Sequence, residues 1–312
     1  MHTRLPVILA LCLFLHFSAA GAEGWAYYGG DEGGSRYSPL QQINRDNVGK
    51  LELAWQYRTG AVAANPTLKS MIDFQATPTL LPAAAGAHLV ICDPFGKVIA
   101  LDPASGKERW SMDPKIDKTP YAGRFKCKGV AYWADSQAAA GSVCSHRLFL
   151  ATADKRLIAM DARDGKRCAG FGVQGQVDVD VLLRSLVPAD GTQLTQLVSP
   201  PTVVRDVVAV SSFSNKFKSS SSVNGAIRGF DARTGELRWS FDPLVRDAGT
   251  GLTPTPQQVG GANTWVPMSA DSPRDLLFVP TAGPAPNYWG VHRPGNNDYA
   301  NSIIALRGST GE

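Results

Sequence analysis

Beyond residue 22 the sequence has no run approaching the ~20 consecutive apolar residues that a membrane-spanning helix requires. That excludes a bundle of spans. Cysteine is scarce, five in all, and none is spaced Cys-x-x-Cys or Cys-x-x-Cys-His. A zinc ribbon, a thioredoxin-type pair and covalent haem attachment are thereby excluded. The five histidines, His2, His16, His88, His146 and His292, show no metal-type spacing, and the last three read as surface or loop residues. Neither a Gly-x-x-x-x-Gly-Lys phosphate loop nor a Gly-x-Ser-x-Gly elbow occurs, against nucleotide and serine-hydrolase chemistry. Charge is sparse, 19% of residues with a net +4, and the basic residues are scattered. No nucleic-acid stripe or polybasic membrane patch results, and a small molecule is the expected partner.

What is present is a repeat. Ala100-Leu101-Asp102-Pro103-Ala104-Ser105-Gly106-Lys107-Glu108-Arg109-Trp110 returns as Ala159–Lys166, as Gly229–Trp239 and as Ala305–Glu312. Each copy follows paired apolar runs: Leu89–Cys92 with Val98–Leu101, Leu148–Ala151 with Leu157–Met160, Val207–Val210 with Ala226–Phe230, and Leu276–Val279 with Ser302–Leu306. Asp-x-x-Ser/Thr-Gly after such a run is turn chemistry, the carboxylate capping the turn and Gly taking φ > 0. The unit is strand, turn, strand. Its glycines (106, 165, 235, 311) lie 59, 70 and 76 residues apart, which suits a four-stranded blade with long loops. An all-β propeller is the expected fold, with the insertions in loops on one face. With 44% hydrophobic residues the chain can bury a sizeable core.

Residues 1–22 read as a signal peptide: a basic start, an apolar stretch from Leu5 to Phe17, and Ala20-Gly21-Ala22 before the cut. The expected product is a soluble chain of residues 23–312, periplasmic or secreted. It keeps Cys92, Cys127, Cys144 and Cys168, which allow three disulfide pairings or none. Trp25–Asp31 reads as an ordered first strand. Asn44 is placed to cap a short helical turn, and Leu51–Tyr57, alternating apolar and polar, reads as a half-buried strand. Like the repeat it carries a Trp near its end, and a Trp recurring there is best used between neighbouring sheets. Ser219–Ser222 reads as a loop.

Trp25–Asp31, Arg36–Leu40, Leu53-Ala54-Trp55, Gln75-Ala76-Thr77-Pro78 and the repeat together resemble the quinoprotein dehydrogenases, eight-bladed propellers carrying pyrroloquinoline quinone (PQQ). Cys127–Val130, Ser199-Pro200-Pro201, Gly225–Asp231 and Asn263-Thr264-Trp265 are similar to the glucose, quinate and polyol branch. The resemblance covers residues 24–312 and implies about four of the eight blades. It implies oxidation of a sugar, cyclitol or polyol hydroxyl, with PQQ as the hydride acceptor and Ca²⁺ (or Mg²⁺) holding it.

Carried over residue by residue, the resemblance makes Trp265 the platform for the quinone ring. Arg124 stands where glucose-type relatives have a covering histidine, and Lys128 where a basic residue meets a PQQ carboxylate. Thr152 matches a hydroxyl donor, Ser212 and Ser214 the small residues approaching the ring, and Asn215 the place of an acidic metal ligand. An amide oxygen there supplies a ligand but no charge. Gly283 occupies a further ligand position, with Asn287 nearby. No residue is assigned as catalytic: the aspartate base of the family lies shortly after the Trp of this repeat, and the last copy reaches only Gly311-Glu312. The expectation is therefore an N-terminal portion, inactive alone, poorly soluble or oligomeric, whose C-terminal half is missing. Electrons would pass to a separate membrane quinone or cytochrome. The alternative is a non-catalytic propeller scaffold for protein assembly, which accounts for the repeat but not for Ser199–Pro201 or Asn263–Trp265.

Overall fold

The structure is a computed structural model that describes residues 24–118, 124–179, 195–214, 225–244, 261–286, 288–292 and 297–312. The apolar runs form strands where the sequence places them. The first antiparallel sheet is β1 (Thr79–Leu80), β2 (Leu89–Cys92), β3 (Val98–Leu101) and β4 (Glu108–Met112). The second is β5 (Ala131–Ala134), β6 (His146–Ala151), β7 (Arg156–Asp161) and β8 (Gln176–Asp178). A two-stranded ribbon, β9 (Thr195–Gln196) with β12 (Phe213–Ser214), precedes and follows the start of the third sheet, β10 (Thr202–Val204), β11 (Val207–Val210), β13 (Ile227–Asp231) and β14 (Leu237–Phe241). The fourth has β15 (Ser269–Asp271), β16 (Leu276–Pro280) and β17 (Ile303–Arg307). Each sheet runs in simple sequence order, a meander of four or three strands.

The repeat is the turn between a sheet's third and fourth strands. Asp102 Oδ1 accepts from the backbone N–H groups of Ala104 (3.0 Å) and Ser105 (2.8 Å), and Gly106 N–H closes the turn on the Asp102 carbonyl at 2.8 Å. Asp231 does the same for Arg233 and Thr234. In the fourth sheet Arg307 stands in the aspartate's place, and Asp275, from the loop between β15 and β16, accepts from Ser309 N–H at 3.0 Å instead. The repeat glycines have φ of +67° to +78°, a region costly for a side chain.

These glycines also carry the joints between sheets. A Cβ at Gly165 would lie 2.5 Å from Trp110, and one at Gly311 2.8 Å from Trp239, so the indole of one sheet's outer strand lies flat on the next sheet's turn. Buried clusters fill the gaps: Val90, Val98, Leu148 and Ile158 between the first and second sheets, Phe149, Phe171, Val208 and Phe230 between the second and third, Val207, Ile227, Leu277 and Leu306 between the third and fourth. The four blades thus stand in a row.

Several readings need correction. Leu51–Tyr57 pairs with no strand among the described residues, and Leu53 is 82% exposed. Trp25–Asp31 forms a tight turn with isolated bridges rather than a strand, because Gly30 at φ +93° reverses the chain. Asn44 Oδ1 accepts from Asp46 N–H at 2.9 Å in a local turn and leaves the 3-10 turn Val48–Lys50 uncapped. His88 is buried, with Nε2 3.1 Å from the Arg163 carbonyl. The cysteines form Cys92–Cys127 and Cys144–Cys168. Residues 1–22 and Ser219–Ser222 lie outside the described residues.

Candidate functional site

In a meander the connection between strands two and three and the connection from strand four to the next blade leave from the same end of the sheet. Residues 113–130, 179–201, 211–226, 242–268 and 281–302 are such connections, and the longest insertions fall there. Because β10 lies against β5 and β15, the connections leading into these three innermost strands are brought together. Lys128, Ser199 and Asn263–Trp265 come from them, and Ser211–Ser212 from the start of the neighbouring connection after β11.

Lys128 is the centre of this region. It is only 6% exposed, its Nζ donates to the Trp265 carbonyl, and the ammonium sits 5.0 Å from the Trp265 ring centroid. No described carboxylate lies within ion-pair distance of it. Burial, aided by the charge of Lys126 and only partly opposed by Asp73, pulls its pKa down from 10.5 to about 8. The neighbouring Cys92–Cys127 disulfide and a 2.9 Å bond from Thr77 N–H to the Lys128 carbonyl hold the backbone in place. Trp265 itself is 45% exposed. An ammonium and an open indole therefore face the same space.

Around them the third and fourth blades interlock. Asn263 Nδ2 donates to the Ser212 carbonyl at 2.5 Å, Thr264 N–H to Ser211 Oγ at 3.1 Å, and Thr264 Oγ1 to the Pro280 carbonyl at 3.0 Å. A Cβ on Gly225 would lie 2.3 Å from Asn263 N, so only glycine permits this approach. Yet Asn263 Oδ1, Ser212 Oγ, Ser199 Oγ and both polar side-chain atoms of Gln196 are buried without a partner. A buried polar atom left unpaired costs about 1–3 kcal/mol. Asn263 lies two residues from the Trp265 whose carbonyl Lys128 meets, so Asn263 Oδ1 and Ser212 Oγ near an ammonium without a carboxylate suit a polar, anionic ligand with a flat face.

The site residues inferred from the sequence fare unequally. The structure joins Lys128, Trp265 and the Ser212–Asn263 pair. Thr152 is buried but its hydroxyl is spent in its own hairpin, on Asp154 and on the Arg156 carbonyl and N–H. Arg124 is exposed. Ser214 is placed by its backbone pairing with Thr195, while Asn215 and Asn287 lie outside the described residues. Gly283 offers its carbonyl to Ala262 N–H at 3.0 Å, pinning the Pro280–Pro286 loop beside Asn263. Sequence reading assigned no role to Gln196 or Asn263. The available signal was a polar residue inside an otherwise apolar or proline-bounded run.

Antiparallel meanders joined Trp-on-Gly, with their long connections converging at one end of the inner strands, define a β-propeller. The family model for the PQQ glucose/ethanol/alcohol dehydrogenase β-propeller domain matches residues 25–312, and the chain belongs to that family. It is 36% identical over 304 residues to the quinoprotein glucose dehydrogenase of Escherichia coli (strain K12), covering 95% of this chain and 37% of that protein. It is 35% identical over 301 residues to the glycerol dehydrogenase large subunit of Gluconobacter oxydans (strain 621H), covering 94% and 39%. The quinohemoprotein alcohol dehydrogenase of Pseudomonas putida HK5 superposes with a TM-score of 0.68 at 26% identity, over 93% of this chain and 39% of that one. The chain thus spans under half the length of these relatives.

Proposed function

We propose that the chain supplies part of the cofactor site of a PQQ-dependent dehydrogenase acting on a sugar, cyclitol or polyol hydroxyl. The observation that carries this is Lys128, a buried cation without a carboxylate, set over an exposed Trp265 amid orphaned polar atoms. PQQ is planar and carries three carboxylates, so it fits the set. Trp265 would hold the ring by stacking, Lys128 would pair a carboxylate, and Ser212 and Asn263 would take the remaining hydrogen bonds. The chemistry supplied on binding is that of a two-electron quinone acceptor for the hydride of a carbinol carbon. The protein's contribution would be orientation and charge: Lys128, buried beside Trp265, would meet a carboxylate, and the Asn263–Ser212 bond joins the connections of the third and fourth blades next to it.

The donors for Ca²⁺ or Mg²⁺ do not fit equally well. Among the described residues no cluster of three His, Cys, Asp or Glu side chains exists, and a hard cation takes six or more oxygens. No step is assigned to a metal, and no described residue is assigned as base. The apolar leader and the two disulfides support a periplasmic or secreted location. The scaffold alternative leaves the orphaned polar set without a purpose. The test is a titration of the purified protein with PQQ, followed by tryptophan fluorescence. Saturable quenching, lost in Trp265→Ala, is expected; no saturable change in the wild type refutes the proposal.

A further inference from the structure

We propose that His88 is an acid-released latch between the first and second blades: neutral, it ties Arg109 of β4 to the repeat turn of the second blade, and on taking a proton it drives Arg109 out of the joint and opens the seat of Trp110 to water.

His88 stands at the head of β2, 6% exposed, and its two ring nitrogens are claimed by partners of opposite kind. Nδ1 lies 3.3 Å from Arg109 Nη1, a group that only donates, so Nδ1 is the acceptor. The ring proton therefore sits on Nε2, which donates to the Arg163 carbonyl at 3.1 Å. That carbonyl belongs to the second blade's repeat turn, so one neutral imidazole links the two blades. Other joints are made without a titrating group. Trp55 Nε1 donates to the Pro103 carbonyl at 3.1 Å, and Trp239 Nε1 to the Gly308 carbonyl at 2.8 Å. Ala162 holds the same place in the second blade's turn, yet Trp110 Nε1 is buried with no partner. Trp110 still lies on Gly165, but the hydrogen bond to the turn comes from His88, whose ring meets the indole edge to face at 6.1 Å.

A proton on Nδ1 sets two donors against each other, the imidazolium N–H and the Arg109 guanidinium. The ring is held where it is: a Cβ on Gly86 would lie 2.4 Å from Nε2, and Nε2 is bonded to the second blade. Arg109 is free to leave, because its side chain is 38% exposed and its other bonds, to the Gly86 carbonyl at 3.1 Å and to Asp102 at 2.5 Å, lie at the surface. No described carboxylate is spare to neutralise the new charge. Asp102 is engaged by Arg109 and by its own turn, and on the second blade's turn Asp161 pairs with Arg163 and Asp164 with Lys166, both at 2.8 Å. Burial, opposed by the bond to the Arg163 carbonyl and aided by the Arg109 charge, accordingly holds the His88 pKa below 6.5. Below pH 6.5 the unfolded chain takes a proton that the folded chain refuses, so the latch contributes fully above 6.5 and is lost as pH falls from there to the folded value.

The test follows the His88 ring and the Trp110 indole N–H by NMR in the intact chain, labelled at His and Trp, between pH 7.5 and pH 5. Both should move on one curve centred below 6.5, with exchange of the indole N–H rising beyond its intrinsic pH dependence. In Arg109→Met the His88 midpoint should return towards 6.5, and in His88→Gln the Trp110 signal should no longer follow pH. Urea unfolding reads the same event: relative to His88→Gln, the folded-to-unfolded ratio of the wild type should fall by up to about tenfold for each pH unit below 6.5. Near-ultraviolet circular dichroism shows that each variant folds; where one does not, the paired wild-type curves decide. A His88 that titrates at or above 6.5 overturns the proposal, as does a Trp110 signal that stays fixed while His88 titrates. The same movement in His88→Gln, or an unchanged midpoint in Arg109→Met, overturns it equally.

Discussion

Replacing Lys128 by Met should stabilise the unliganded protein while removing its affinity for a carboxylated quinone. Its amine is buried, bonded to one carbonyl and unpaired with any described carboxylate, and burial lowers its pKa from 10.5 to about 8. At ~1.4 kcal/mol for each pH unit this corresponds to about 3 kcal/mol of cost to the folded state, which solvent reaching the amine trims to about 2 kcal/mol. Methionine fills similar space without charge but forfeits the bond to the Trp265 carbonyl and the contact with its ring, together about 1 kcal/mol. The net expectation is a gain of about 1 kcal/mol at pH 7, read from the urea midpoint with an unchanged slope. The pH dependence has a definite sign. Between about pH 8 and 10.5 the unfolded chain still holds the Lys128 proton that the folded chain has released, so wild-type stability rises relative to the variant across that window. The advantage of the variant is therefore full below pH 8 and fades above it. PQQ binding follows the opposite course, weakening in the wild type above pH 8 and at least tenfold weaker in the variant at all pH values. A variant less stable than wild type at pH 7, or a stability gap indifferent to pH, would refute the reading of Lys128 as a buried charge awaiting an anion.

Gly229→Ala places a Cβ 2.2 Å from the Trp239 indole and should cost about 3 kcal/mol by expelling that ring from its joint; an unchanged melting temperature would contradict the Trp-on-Gly account. Cys92→Ser with Cys127→Ser opens a loop of 35 residues in sequence separation, for which the chain-entropy treatment gives about 4 kcal/mol. The same change should weaken PQQ binding, because Cys127 anchors Lys128; retained affinity at reduced stability would separate the two roles. Burial alone would raise the Asp161 pKa, but the Arg163 guanidinium and N–H and the Cys144 N–H outweigh it and hold the carboxyl at about 2. Its stabilisation, about 1 kcal/mol after screening, is present above the unfolded value near 3.8 and lost as pH falls towards 2. Comparing wild type with Asp161→Asn by urea titration at pH 6 and pH 2.5 should show the gap close.

The blades were legible in the sequence because their code is local. Apolar runs, an Asp that caps its own turn, a Gly with positive φ and a Trp four residues on from that Gly all act within about a dozen residues, and the last three strands of the first and third blades follow directly. Lys128 and Trp265 were each singled out in the sequence through resemblance. Their contact was not, since the bond joins residues 137 apart and depends on how two blade connections converge. The same holds where the local code breaks. Arg307 replaces the turn aspartate, and only the fold reveals that Asp275, 34 residues before Ser309, supplies the missing carboxylate. The local bonds of the Thr152 hydroxyl to Asp154 and Arg156 were not readable from its position, and Leu51–Tyr57 was read as a paired strand because alternation marks a strand's faces and not its neighbours. The cysteine pairing was likewise open until β2 and the strap before β5 were brought side by side. Local conformation is set by neighbours along the chain and was readable there; partners in space depend on the packing of whole blades, which no short stretch of sequence encodes.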